Sequence, residues 1–208
     1  MEETKTMLTL FHAPMSRSGR ILRLLEELGA PYQIAYVDIR RMDGSGGPDA
    51  SNPHPDGKVP ALLDDGALVT ESAAIALYLA DLLPEAGLAP PVGSKERAAY
   101  LTWMAWTVGE LEPAVWSKIT GETATNPYAN ARYEAAVDRL ISAVWVGPWL
   151  MGQQFTAADV MVAATLQWAR EHLPESPSID AYLERFNARP AALSSMGKDS
   201  PPAKANAA

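Results

Sequence analysis

The sequence predicts two units in one chain, a small α/β unit followed by an all-helical one. Three observations predict it. The first forty residues read strand, helix, strand. Asp65-Gly66, set between "ALL" and "ALV", is a hairpin signal that leads into an apolar helix. Beyond the Pro/Gly-rich stretch 84–93, the apolar residues recur with the helical period and never with that of a strand.

Taken in order, "MLTLFH" is the first strand. In the helix that follows, Ile21, Leu24, Leu25 and Leu28 recur at i, i+3, i+4 and i+7, and Gly29 is a natural stop. "PYQIAYVD" is the second strand, so the unit is βαβ with parallel strands and a right-handed crossover. Residues 43–58, "DGSGGPDASNPHPDGK", are too rich in Gly, Pro, Ser, Asn and Asp for a packed element. The hairpin comes next, then the helix "SAAIALYLADLL" with Ile75, Tyr78, Leu79 and Leu82 on one face. The order βαβ, loop, ββ, α is that of a thioredoxin-like domain, spanning 7–84, with a linker over 85–93. The helical domain is expected over 94–192. Its first helix, "SKERAAYLTWMAWTVGELE", is predicted to end near Pro113. "ARYEAAVDRLISAVW" carries a stripe of Ala136, Val137, Leu140, Ile141 and Val144. "FTAADVMVAATLQWA" opens with a capping box of Thr156 and Asp159, framed by Phe155 and Val160 as a hydrophobic staple. "SIDAYLERF" spaces Ile179, Tyr182, Leu183 and Phe186 on one face, and "RPAAL" ends the helices. The polar, Pro/Ala-rich residues 193–208 are expected to form a flexible tail.

Composition bounds the function. Of 208 residues, 48% are hydrophobic and 20% charged, as in ordinary soluble domains. No stretch approaches the roughly 20 apolar residues of a membrane span, and "MEETKTM" does not read as a signal peptide, so a cytoplasmic protein is expected. There is no cysteine, which removes disulfides, thiolate metal sites and any protein thiol nucleophile; no metal is expected. A net charge of −8 repels nucleic-acid backbones. The one dense basic cluster, Arg17, Arg20, Arg23, Arg40 and Arg41, suits either a small anionic ligand or pairing with Glu26, Glu27 and their neighbours.

Three stretches bear chemistry. In "MSRS", Ser16 and Ser18 precede a helix; either can cap it, and either can point its hydroxyl at a ligand where the helix's positive end also points. In "GKVPAL", Pro60 at a strand start cannot donate to the ladder. It is compatible with an ordinary trans bond or with a cis bond that turns the Val59 backbone toward an extended, peptide-like ligand. In "TES", Glu71 and Ser72 sit at a strand-to-helix junction as caps, or as a carboxylate and hydroxyl that hold an α-amino acid head group.

Together and in this order, "SRSGR", "GKVPAL", "ESAAIALYLAD" and "FTAADV" make the chain resemble the cytosolic glutathione S-transferase family over nearly its whole length, most closely its serine-type bacterial and fungal members. The resemblance implies that glutathione is the co-substrate and that Ser16 activates it, aided by Arg17. Met15 stands where thiol-type bacterial members carry a cysteine, and Phe11 and His12 where tyrosine-type members carry a tyrosine. His12 is read as structural rather than as a base. Lys58 and the Val59–Pro60 backbone are implied to hold the glycyl and cysteinyl parts, and Glu71 and Ser72 the γ-glutamyl end. Arg40, Arg41 and His54 are further candidates for the glycyl carboxylate. The electrophile pocket is expected around Met15, Trp103, Trp106, Thr107 and Glu110, although tryptophans at helical spacing also serve as core. Asp159 belongs to a cap and is structural.

The family resemblance also implies a homodimer with a detoxifying role. The expected reaction adds glutathione thiolate to small hydrophobic electrophiles, peroxidase chemistry being open to the same thiolate. The alternative is a non-catalytic binder of glutathione or hydrophobic ligands on this fold. The substrate therefore brings the sulfur that the protein lacks. A free cysteine thiol titrates near 8.5, and lowering that by about two pH units takes roughly 2.7 kcal/mol. One charge-assisted hydrogen bond supplies about 1.5–3 kcal/mol.

Overall fold

The computed structural model describes residues 7–201 and divides the chain into two compact units. One comprises the residues up to Ala86 together with those from Pro190; the other is Gly87–Arg189.

The first unit is built on a four-stranded sheet in the order β2-β1-β3-β4. Strand β1 (Leu8–His12) pairs in parallel with β2 (Tyr32–Tyr36) and antiparallel with β3 (Ala61–Asp64), which pairs antiparallel with β4 (Ala67–Thr70). Asp65 and Gly66 both take positive φ, 45° and 90°, the conformation a two-residue hairpin requires. Helix α1 (Ser18–Leu28) ends on Gly29 in the left-handed conformation, φ 63°. It buries Ile21, Leu24 and Leu25 completely where it packs on β1 and on helix α2 (Ser72–Leu82), and Leu10, Leu62, Ile75 and Leu79 are completely buried in the same unit. This is the thioredoxin-like α/β arrangement that the element order predicts.

The second unit is helical. Helix α3 (Glu96–Trp106) does not stop at Pro113. It passes through a wide π-helical turn, Thr107–Leu111, directly into α4 (Glu112–Ile119), where Pro113 lies in the first turn. A first-turn N–H has no partner within its own helix, so a proline there breaks nothing. Helix α5 (Pro127–Val146) begins earlier than the apolar stripe suggests, because the Asn126 side chain accepts from the N–H groups of Tyr128 and Ala129. Helix α6 (Ala157–Trp168) runs through the middle of this unit, with Val160, Met161, Val162, Ala163 and Leu166 all buried. Its capping box forms as the sequence predicts. Helix α7 (Pro177–Asn187) packs Ile179, Tyr182 and Phe186 inward.

The expected flexible tail is corrected over its described part. Residues Ala191–Lys198 form helix α8, which belongs to the first unit and packs along α1. Pro190, whose φ of −54° suits a helix start, opens this helix rather than merely closing the previous one, and Ala191 and Ala192 are buried beneath it. Polar bonds fasten its end. Lys198 Nζ lies 2.6 Å from Glu26 Oε1, and Tyr32 donates its hydroxyl to the same carboxylate. Tyr36 donates its hydroxyl to the carbonyls of Lys198 and Ser200, at 2.9 and 3.1 Å. The residues from 202 lie outside the described part.

Among the described residues no helix is long and apolar enough to cross a membrane, and no group of three or more His, Cys, Asp or Glu is placed to hold a metal ion.

Candidate functional site

The first unit carries a cleft of ≈ 980 Å³ at the C-terminal end of β1. Its walls come from three places: the β1–α1 turn, the loop before β3, and the β4–α2 junction. Ser16 and Arg17 come from the first, Lys58, Val59 and Pro60 from the second, and Glu71 and Ser72 from the third. The structure thus brings together every residue that the sequence assigns to activation and glutathione binding. A small apolar cluster of Ala13, Val37 and Val59, with Phe11 and Ile39 against it, packs beside these walls.

The β1–α1 turn divides the two serines. Ser18 is the first residue of α1 and is fully buried; Ser16 is half-buried on the cleft wall. Ser16 also takes the capping part, since its oxygen accepts the Ser18 N–H at 3.2 Å while Arg17 holds the cap position with no side-chain capping bond. The Ser16 hydroxyl reaches the Ala13 carbonyl at 2.7 Å and Ser18 Oγ at 2.8 Å. Met15, just before it, is 89% exposed and holds φ 53°. A residue with a β-carbon is uncommon there, and such backbone collects at functional turns.

On the second wall the Val59–Pro60 bond is cis. The β1–β3 ladder starts at Ala61, so Val59 lies outside it. Lys58 is exposed beside Asp56, Nζ to Oδ2 3.3 Å. His54 is buried, its Nδ1 accepting the Asp56 N–H at 3.0 Å, which makes it part of the turn. Arg41 donates from Nη2 to the Pro14 carbonyl at 3.0 Å and so ties the loop after β2 to the β1–α1 turn; Arg40 is exposed on the rim.

On the third wall Glu71 holds φ 68°, ψ 123°, a conformation normally left to glycine, and is exposed; Ser72 is buried at the first position of α2. The strained residue therefore presents a carboxylate beside the N–H groups that open a helix, the pairing an α-amino acid head group needs.

Of the expected electrophile pocket, Met15 stands on the rim of this cleft. The others lie in the second unit and are already engaged there. Trp103 and Trp106 pack edge to face at 5.2 Å between ring centres, and the Arg139 guanidinium lies over both rings, at 4.7 and 4.6 Å. Thr107 is fully buried and donates its hydroxyl to the Trp103 carbonyl at 2.7 Å, which corrects its assignment to a pocket wall. Glu110 pairs with Arg132 at 2.7 Å. Asp159 is buried and structural: it accepts from the N–H of Leu150 and Thr156 at 2.9 Å each and from the Tyr182 hydroxyl at 3.0 Å.

One residue, Asp199, escapes the sequence reading, and it sits on His12, which that reading takes as structural. His12, fully buried at the end of β1, places Nδ1 2.7 Å from Ser18 Oγ, and its Nε2 faces Asp199, 3.3 Å from Oδ1 and 3.4 Å from the backbone O. Asp199 Oδ2 also accepts the Met15 N–H at 3.3 Å. Nothing in "GKDSPP" signals this, since it requires knowing that α8 returns to α1. Burial holds the His12 imidazole below its ordinary 6.5, against the opposing pull of Asp199. The unfolded chain therefore takes up a proton that the folded chain refuses, and stability rises with pH through that window. The urea midpoint is expected to fall between about pH 7.5 and about pH 5.5, and to fall less steeply in His12→Gln. Equal slopes for the two proteins would show that His12 is not the source.

Comparison with known proteins fits this geometry. Residues 14–82 match the family model described as glutathione S-transferase, N-terminal domain. The glutathione S-transferase GstA of Escherichia coli O157:H7 is 32% identical over 87% of this chain and 93% of its own. The disulfide-bond oxidoreductase YfcG of E. coli K12 is also 32% identical, over 89% and 92%. A sphingomonad glutathione S-transferase, solved in complex with glutathione, superposes with a TM-score of 0.77 at 28% identity, covering 92% of this chain and 98% of that one.

Proposed function

The chain belongs to the glutathione S-transferase family and is a glutathione transferase, and from that premise we propose how its cleft binds and activates the tripeptide. Glu71, Ser72 and the start of α2 hold the γ-glutamyl ammonium and carboxylate. Val59 pairs through its backbone with the cysteinyl unit at the cis Val59–Pro60 bond. Lys58 takes the glycyl carboxylate, with Arg40 and Arg41 across the cleft. The thiol then lies against Ser16, whose hydroxyl swings from the Ala13 carbonyl to the sulfur and stabilises it as the anion; Arg17 adds positive field. The thiolate attacks an apolar electrophile near Met15, and peroxides are open to the same attack. We place the protein in the cytoplasm, as a homodimer with a detoxifying role, on the family resemblance.

One observation carries this reading. Ser16, Val59, Glu71 and Ser72, which come from three separate segments, line one cleft. The test combines calorimetry with glutathione and the ultraviolet absorbance of the bound thiolate as pH is varied. Saturable binding is expected, with the thiol titrating well below 8.5. Glu71→Gln is expected to weaken glutathione binding about 10-fold, the scale of one hydrogen bond to a charged group. No binding by the parent protein, or none of its sulfur as thiolate, would refute the assignment.

A further inference from the structure

We propose that His12, held by Asp199, takes up the proton that the glutathione thiol loses, through the hydroxyls of Ser18 and Ser16. The inference rests on the reading that places the thiol at Ser16.

The geometry sets the direction of the bonds at His12 and Ser18. Both Asp199 atoms beside His12 Nε2, Oδ1 at 3.3 Å and the backbone O at 3.4 Å, are acceptors. A neutral His12 therefore carries its hydrogen on Nε2 and leaves a lone pair on Nδ1. Ser18 Oγ, 2.7 Å from Nδ1, donates to it, in preference to the Ala13 carbonyl at 3.3 Å. With its single hydrogen so directed, the Ser18 oxygen can only accept from its neighbours, from the Ala13 N–H at 3.2 Å and from Ser16 Oγ at 2.8 Å; the Ser16 hydrogen, which at rest goes to the Ala13 carbonyl at 2.7 Å, turns to Ser18 for the transfer. Ser16 is the last member and reaches the cleft, so the chain runs from a fully buried imidazole to the wall where the sulfur lies.

The transfer balances. The S–H bond breaks and its electron pair stays on sulfur. The thiol proton passes to Ser16 Oγ as Ser16's own proton moves to Ser18 Oγ and Ser18's to His12 Nδ1. One thiolate and one imidazolium result, and both hydroxyls are restored. The Asp199 carboxylate stabilises the imidazolium at Nε2, and the new sulfur anion adds to that attraction. Among the described residues, Tyr36 of β2 also faces His12, its ring meeting the imidazole edge-on at 5.7 Å, and α1 faces it with the uncharged Ser18. Burial depresses the imidazole and keeps His12 neutral before the tripeptide binds; Asp199 opposes that depression, and the sulfur anion formed by the transfer adds to that opposition. His12 and Asp199 touch no substrate; they act through Ser16 as positioning residues.

The test counts protons. Glutathione is bound to the full-length protein in buffers of differing ionisation enthalpy, which gives protons released, and thiolate formed is read from ultraviolet absorbance. In the parent protein fewer protons should reach the buffer than thiolates form. In His12→Gln, which keeps a polar side chain but cannot titrate, the two counts should become equal, and the apparent thiol pKa should rise by about one pH unit. Asp199→Asn, which keeps an acceptor but removes the charge, should close most of the same gap.

Equal counts in the parent protein would overturn the proposal, even if neither variant folds. So would a deficit that persists in His12→Gln. Thiolate formation with equal counts removes the relay alone, whereas no thiolate removes the Ser16 reading and the relay with it.

Discussion

Ser16→Ala is expected to lower kcat/KM for glutathione conjugation about 10- to 100-fold at neutral pH, with the fold retained. The half-buried Ser16 hydroxyl is set by the β1–α1 turn on the cleft wall, where the proposed binding mode puts the sulfur. Its removal costs the thiolate one charge-assisted hydrogen bond, about 1.5–3 kcal/mol, and moves the bound thiol back toward its solution value near 8.5. The loss should therefore shrink as pH is raised, because base then does what the hydroxyl did. Ser16→Thr keeps the hydroxyl and should retain most of the activity. The alanine also removes the acceptor for the Ser18 N–H, a loss of about 1 kcal/mol of stability, too little to unfold the protein. Pre-steady-state measurement of thiolate attack on a chromogenic electrophile across pH separates these effects. A pH-independent loss would point to misplacement rather than ionisation.

Asp159→Ala is expected to be the most damaging single change to stability. The carboxylate is fully buried and holds four donors: the N–H groups of Leu150 and Thr156 and the hydroxyls of Thr156 and Tyr182. Burial pushes this carboxyl up, and the four bonds oppose it. With alanine, the loop at Leu150 and the start of α6 lose their acceptor at once, and the fully buried Tyr182 of α7 keeps only the backbone carbonyl of residue 159, at 3.3 Å. Each stranded donor costs about 1–3 kcal/mol, and because they form one network the total is set near 4 kcal/mol. For a chain of this size that is a fall in Tm of about 10 °C. Asp159→Asn fills the space and keeps one acceptor oxygen, so it should recover part of the loss. Denaturation of both variants, followed by far-ultraviolet circular dichroism, checks the order; an alanine variant within about 1 kcal/mol of the parent would contradict the network reading.

The cap at Asp159 was legible because capping chemistry is local: Thr156 and Asp159 stand three residues apart, and the apolar run beyond them has one period. The strand and helix order of the first unit was legible for the same reason, with Asp65-Gly66 and Gly29 marking ends that only such residues make easily. Pro113 misled because a proline's meaning depends on where the helix begins, and the π-helical turn at Thr107–Leu111 moves that point. Helix α8 was missed because little in "AALSSMGK" has a strong apolar face; Leu193 and Met196 are exposed, and α1 and the end bonds hold it in place. The site followed the same rule. Ser16, Val59, Glu71 and Ser72 each sit where a turn or junction announces them. The bond from Asp199 to His12 joins residues far apart in sequence and has no local sign. Nor does composition tell a tryptophan stacked under Arg139 from one lining a pocket.

The return of α8 to α1 also sets an order of events at the ribosome. The strands and first two helices of the α/β unit emerge early, yet the helix that completes it is encoded beyond the whole of Gly87–Arg189. At roughly 5–20 residues per second, the nascent unit waits on the order of 10 s with one flank of α1 uncovered. A chain stalled before α8 would hold every residue that lines the cleft and still lack both the helix that packs along α1 and the Asp199 carboxylate, which accepts the Met15 N–H beside it.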